Sequence, residues 1–116
     1  MGRPVDVIQA LEAGLRGTHA RQSAVAVNIA NLSTPGYKRA VVDFEARLRE
    51  ALDSGRPLDL AELEPEVTHD MSGSPGDNNV DVEVEVGELI KNAGRYKMLM
   101  RLMSKAYQQM DLAMRE

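Results

Sequence analysis

The chain has 116 residues, of which 43% are hydrophobic and 28% charged, the profile of one soluble domain rather than a disordered segment. It contains no cysteine, which excludes disulfides, thiolate nucleophiles and zinc sites of the cysteine type. No apolar run approaches the roughly 18 to 20 residues that span a bilayer. Aromatic residues make only 3%, so Leu, Val, Ala and seven Met must fill any core, which suits packed helices. The net charge of -4 is segregated: residues 1–49 carry seven Lys/Arg against four Asp/Glu, residues 50–90 one against twelve, and residues 91–116 six against two. The basic residues are spread along two helical stretches without aromatic readers between them, so no nucleic-acid partner is expected.

From Val5 to Asn31 the positions Ile8, Leu11, Leu15, Thr18, Gln22, Val25, Ile29 and Leu32 recur at steps of three and four, a heptad seam on a helix. The helix is expected to end where Asn31 can turn left-handed, Thr34 is pushed out of helical geometry by Pro35, and Pro35-Gly36 suits a type II turn. A shorter helix is expected over Val41, Phe44, Glu45, Leu48, Ala51 and Leu52, ending at Ser54-Gly55-Arg56-Pro57. Residues 56–79, rich in Pro, Gly and acidic side chains, read as an irregular, tolerant linker without a packed core. Val80, Val82, Val84 and Val86 alternate with Asp and Glu, which fits a half-buried strand; Asp81, Glu83 and Glu85 equally suit the positive end of a helix starting there.

The last helix, Glu85 to Met114, has the most regular pattern: Leu89, Ala93, Tyr96, Met100, Met103, Tyr107, Met110 and Met114. A second row of Leu99, Leu102, Ala106 and Ala113 broadens the apolar sector. Gly94 interrupts this helix and is a candidate bend. The expected fold is mainly α, with long N- and C-terminal helices pairing as a coiled-coil-like assembly core, a short middle helix and an irregular acidic segment. The expected organisation is 1–55 for the N-terminal helix, turn and short helix, 56–79 for the acidic linker, and 80–116 for the C-terminal helix, one structural unit in all. Ile8, Leu11, Leu15, Val25, Ile29, Leu89, Tyr96, Met100, Met103, Tyr107 and Met110 are the expected assembly seam.

Catalytic chemistry has no foothold in this pattern. His19 and His69 lie fifty residues apart without an acidic cluster at ligand spacing. Asp77-Asn78-Asn79-Val80-Asp81 lacks the spacing, Gly and distal Glu of a calcium loop, and phosphate-binding glycine loops are missing. No catalytic, cofactor-binding or metal residue, no cofactor and no small-molecule substrate is therefore expected.

Asn28-Ile29-Ala30-Asn31-Leu32-Ser33-Thr34-Pro35-Gly36-Tyr37-Lys38, preceded by Arg21-Gln22, resembles the N-terminal signature of bacterial flagellar axial proteins, the rod and hook subunits. Among these the chain looks most like the basal-body rod protein of the proximal rod, through Val42-Asp43-Phe44-Glu45 and the series Asn79-Val80-Asp81 to Glu85, Lys91, Asn92, Arg95-Tyr96, Leu99, Leu102 and Ser104-Lys105. The resemblance spans about residues 8–49 and 77–112. It implies a structural subunit of the periplasmic rod, built from many copies and in contact with other basal-body proteins. It also implies passage through the flagellar type III export apparatus without signal cleavage, which matches an opening Met-Gly-Arg-Pro-Val that lacks signal-peptide character. The rival readings are another rod subunit, which shares the N-terminal motif, and a soluble helical adaptor or chaperone binding one partner helix.

Overall fold

A computed structural model of the chain describes residues 4–115. Its elements are α1 (Pro4–Ala30), β1 (Ala40–Asp43), α2 (Glu45–Asp53), β2 (Glu66–His69) and α3 (Val82–Arg115). The two long helices run antiparallel. Gly14 faces Leu99, the Asn92 side-chain amide donates to the Thr18 carbonyl at 2.7 Å, and the Asn28 amide donates to Glu85 at 3.1 Å. The fold is mainly helical, as expected, with a small sheet that the helical spacing did not disclose.

α1 ends where the sequence places the turn. Asn31 and Leu32 make the last tightening bonds back to Val27, Asn28 and Ile29, and Gly36 takes a φ of +72°, a backbone state that costs a residue with a Cβ about 1 kcal/mol. The helix expected from Val41 begins later. Ala40–Asp43 is a strand paired antiparallel with Glu66–His69, Ala40 opposite His69 and Asp43 opposite Glu66. Its alternation puts Ala40, Val42 and Phe44 inward, a period of two that four residues at helical spacing concealed. The segment 56–79 is irregular for most of its length, yet it supplies β2, and its Leu63 is buried.

The valine alternation at 80–86 resolves as helix. Asp81 caps it, its carboxylate accepting from the Glu83 amide at 2.9 Å and its carbonyl from the Glu85 amide at 3.0 Å. α3 then runs unbroken through Gly94.

β1 and α2 pack on the flank of α1 next to the one that meets α3. Ala24, Ala40, Val42 and Phe44 form the buried apolar cluster, with Ala20 at its edge. Gly17 makes this approach possible, since a Cβ there would lie 2.3 Å from the Phe44 ring. Arg21 closes the cluster from above. Its guanidinium lies 5.1 Å from the Phe44 ring centre, donates to the Val42 carbonyl at 2.6 Å and pairs with Glu45. Burial pushes the Glu45 carboxyl up, but the Arg21 hydrogen bond, bonds from the backbone of Glu45 and Phe44, and the nearby positive charge outweigh it and hold the group below its usual value.

Gly17→Ala should destabilise the chain by about 1–3 kcal/mol through overpacking, whereas Gly14→Ala, whose Cβ would meet only the tip of Leu99 at 3.3 Å, should be neutral or gain up to about 1 kcal/mol of helix propensity. Urea unfolding followed by circular dichroism checks both. The depressed Glu45 group stabilises the fold above its unfolded value near 4.5 and loses that contribution as pH falls through the folded value. Glu45→Gln should cost less than about 1 kcal/mol at pH 7, the pair being half-exposed, and the difference from wild type should shrink as pH falls below the unfolded value and through the folded one.

Candidate assembly surface and the corner that positions it

Asn28 is fully buried at the last turn of α1. Its carboxamide offers one acceptor and two donors in a plane, which lets it stand in for a neighbouring strand: it accepts from the Ala40 amide at 2.7 Å and donates to the Ala40 carbonyl at 2.9 Å. The same side chain accepts from the Tyr37 hydroxyl at 3.2 Å and donates to Glu85 at 3.1 Å. Glu85, also fully buried, takes a second bond from the Arg39 guanidinium at 2.7 Å. One connected network thus ties the end of α1, the start of β1 and the first turn of α3 together, each buried polar group answered by another.

The rest of the corner is held by backbone oxygens. The Lys38 ammonium donates to the carbonyls of Ser72, Ser74 and Asp77 at 3.3, 2.6 and 2.7 Å, using all three of its protons to shape the loop before α3. Helix ends leave carbonyls without intrahelical partners, and those of Asn31, Leu32 and Thr34 all accept from the side-chain amide of Asn78. Asn79 accepts from the Arg39 amide at 2.7 Å. Within the signature, Asn31 and Thr34 bond to each other at 3.0 Å, Ile29, Ala30 and Pro35 stay on the surface, and Gly36 makes the turn.

Sequence reasoning singled out the right corner but missed most of its partners. Arg39 carried no signal of its own. Glu85 enters as an acid near a helix start and within the resemblance, Asn79 within the resemblance, and Asn78 only in a run that lacks the features of a calcium loop. The side-chain bonds that join them span 46 residues or so, which no local pattern reports.

The expected seam residues divide between two surfaces. Val25 is buried, and Ile8, Leu11, Leu15, Met103 and Met110 are half-buried between or beside the helices. Leu89, Tyr96, Met100 and Tyr107 lie 37–54% exposed, and Ile29 is exposed on α1. The intrachain seam of α3 therefore runs through Glu85, Asn92, Leu99, Met103, Ala106 and Met110, rotated from the expected row because Gly14, Thr18 and Asn28 on α1 favour small and polar partners. Its flanks differ. Glu88 and Arg95 line a cleft of about 310 Å³ with Arg21, Arg39 and Val42 under the sheet. Tyr96 borders a hollow with Gln22 and Ala26 on the opposite side, where β1, β2 and α2 do not reach and the stripe of Leu89, Tyr96, Met100 and Tyr107 stands open.

Paired terminal helices, a polar corner and an open apolar stripe make a mainly helical subunit, and residues 8–38, which contain the corner signature, match the family described as flagella basal body rod protein. The chain is 32% identical to the flagellar basal body rod protein FlgB of Bacillus subtilis (strain 168) over 108 positions, covering 84% of each chain. It is 24% identical to FlgB of Borreliella burgdorferi over 115 positions, covering 82% of this chain and 85% of that one, and 44% identical to FlgB of Proteus mirabilis over 36 positions. The chain belongs to the FlgB family of flagellar basal body rod proteins, and its role is structural.

Asn28→Ala strips partners from Glu85, Tyr37 and both polar groups of Ala40, at about 1–3 kcal/mol for each group left buried and unpaired. A loss of at least about 3 kcal/mol in urea unfolding is expected. Asn28→Asp, which cannot donate and sets a second carboxylate against Glu85, should be no better at pH 7.

Proposed function

We propose that the chain polymerises through its paired terminal helices, with copies of itself and with other basal-body proteins, and transmits torque as part of the rod. The observation that carries this reading is the open stripe of Leu89, Tyr96, Met100 and Tyr107, four large side chains on one flank of α3. Large apolar residues in a continuous exposed row gain about 1.5–3 kcal/mol each when covered, and the flexible Met thioether adapts to neighbours that are not identical. The organisation 1–55, 56–79 and 80–116 serves this role with the first and last segments as the assembling part. The signature Asn28 to Lys38 acts as the corner that fixes the angle at which α1 and α3 present the stripe.

In this reading the subunit performs no catalysis, and it reaches the periplasm through the flagellar type III export apparatus without signal cleavage. Among the described residues no helix is long and apolar enough to cross a membrane. A core of small side chains and polar bonds supports export, because a threaded chain orders on meeting its neighbours.

Met100 is exposed in the subunit, so Met100→Glu should leave unfolding within about 0.5 kcal/mol of wild type while placing an unpaired charge in the assembled lattice. Cells carrying it should export the chain normally, lack it in purified basal bodies and fail to swim. Normal swimming and normal basal-body content overturn the assignment of this stripe.

A further inference from the structure

The stripe leaves the solvent face of α3 unused, and that face has a consistent chemistry. Residues 89–110 contain five cations, Lys91, Arg95, Lys97, Arg101 and Lys105, and no Asp or Glu. All five are exposed, and none makes an ion pair among the described residues. Met98 and Leu102, about half exposed, lie between them. At 1.5 Å per residue this cationic strip is about 21 Å long.

The same chain carries the complementary surface. Residues 50–66, in the lobe formed by β1, α2, β2 and their loops, hold six Asp/Glu against one Arg. An open hollow of about 700 Å³ between α2 and residues 56–63 is walled by Glu50, Asp53, Asp59 and Glu62, with Arg47 and Arg56 at its side. Among the described residues, hydrogen bonds and ion pairs from the lobe to the helical part of α1 fall between Arg16 and Asn28. That footprint is about 18 Å long, whereas α3 continues from Leu99 to Arg115, about 24 Å, beyond the level of the lobe. The bare half of the helix pair therefore has the length to receive a lobe, and the cationic strip runs onto it from beside the chain's own lobe, with Arg101 and Lys105 beyond Leu99.

We propose that the cationic outer face of α3 docks the acidic lobe of a second copy of this chain. Joining unlike surfaces head to tail gives a heterologous contact that does not close on itself, the kind that propagates as a helical array. The inference rests on the rod-subunit reading and adds to it an electrostatic contact distinct from the apolar stripe. Opposite charges spread over about 20 Å steer the encounter and set the register, while covering the stripe supplies most of the affinity.

The test uses the full-length chain in sedimentation velocity, with two sets of substitutions that circular dichroism shows to be folded: Lys97→Glu, Arg101→Glu, Lys105→Glu on α3, and Glu50→Lys, Asp53→Lys, Asp59→Lys on the lobe. Wild type should self-associate at about 20 mM salt and weaken at least tenfold at about 500 mM, where screening is short-ranged. Each variant alone should associate at least tenfold more weakly than wild type, and an equimolar mixture should recover association, because each retains the face that the other has lost. A wild type that stays monomeric at low salt, an association indifferent to salt, or a mixture no better than its parts overturns the proposal. So does wild-type binding to vesicles containing phosphatidylserine that the α3 variant loses while the mixture stays monomeric, which assigns the strip to a lipid surface. The apolar stripe is read separately by Met100→Glu in cells, so either contact can fail without the other.

Discussion

Everything in this fold hangs on one carboxamide. Among the described residues Asn28 alone, itself on α1, bonds through its side chain to both β1 and α3, and its geometry explains why a carboxylate or a longer amide would not serve. A carboxylate has no donor for the Ala40 carbonyl or for Glu85. The longer amide would displace the oxygen and nitrogen from the spacing of a peptide group. The Arg39–Glu85 pair is tolerable in a buried position because Asn28 answers the second carboxylate oxygen, so the ion pair is part of a satisfied network rather than a charge enclosed in apolar surroundings.

The distribution of side chains follows from that constraint. Two helices joined by amides, a carboxylate, a threonine and Gly14 approach closely, and from Glu85 to Asn92 their contact surface has little room for large apolar groups. Tyr96, Met100 and Tyr107 are left outside as a result. The pattern of an ordinary helical pair, apolar within and polar without, is partly inverted along α3, and covering its outer row would add stability that the single subunit does not have. Folding of the subunit and assembly of the rod are therefore coupled in composition, with polar bonds holding the unit together and apolar area reserved for neighbours.

The two long helices, the turn at Pro35-Gly36 and the helical character of the whole chain were readable from three-and-four spacing and from turn chemistry. β1 and β2 were not, because four-residue strands are shorter than the window over which a period declares itself, and because β2 is exposed at every position and carries no apolar alternation at all. Of the expected seam, Val25, Ile8, Leu11, Leu15, Met103 and Met110 are buried or half-buried in the subunit, while Ile29, Leu89, Tyr96, Met100 and Tyr107 stand exposed. A heptad row reports that a face will be covered, and does not say whether the cover is the other helix of the same chain. Glu85 and Asn92, the true centre of the pairing, look by composition like surface residues, and only their position opposite Asn28 and Thr18 makes them interior.

The small apolar core has a thermodynamic consequence. Heat capacity rises on unfolding chiefly because apolar surface meets water, and exposure of polar groups lowers it. A subunit whose buried apolar side chains, among the described residues, are three Ala, two Val, one Leu and one Phe, beside buried amides and an ion pair, exposes little of the first and much of the second. Its free energy of unfolding should consequently bend only slightly with temperature, giving a low, broad dome in place of a sharp optimum. Cooling the isolated subunit would bring little of the cold destabilisation that a large apolar core suffers, and that curvature would arise only when subunits join.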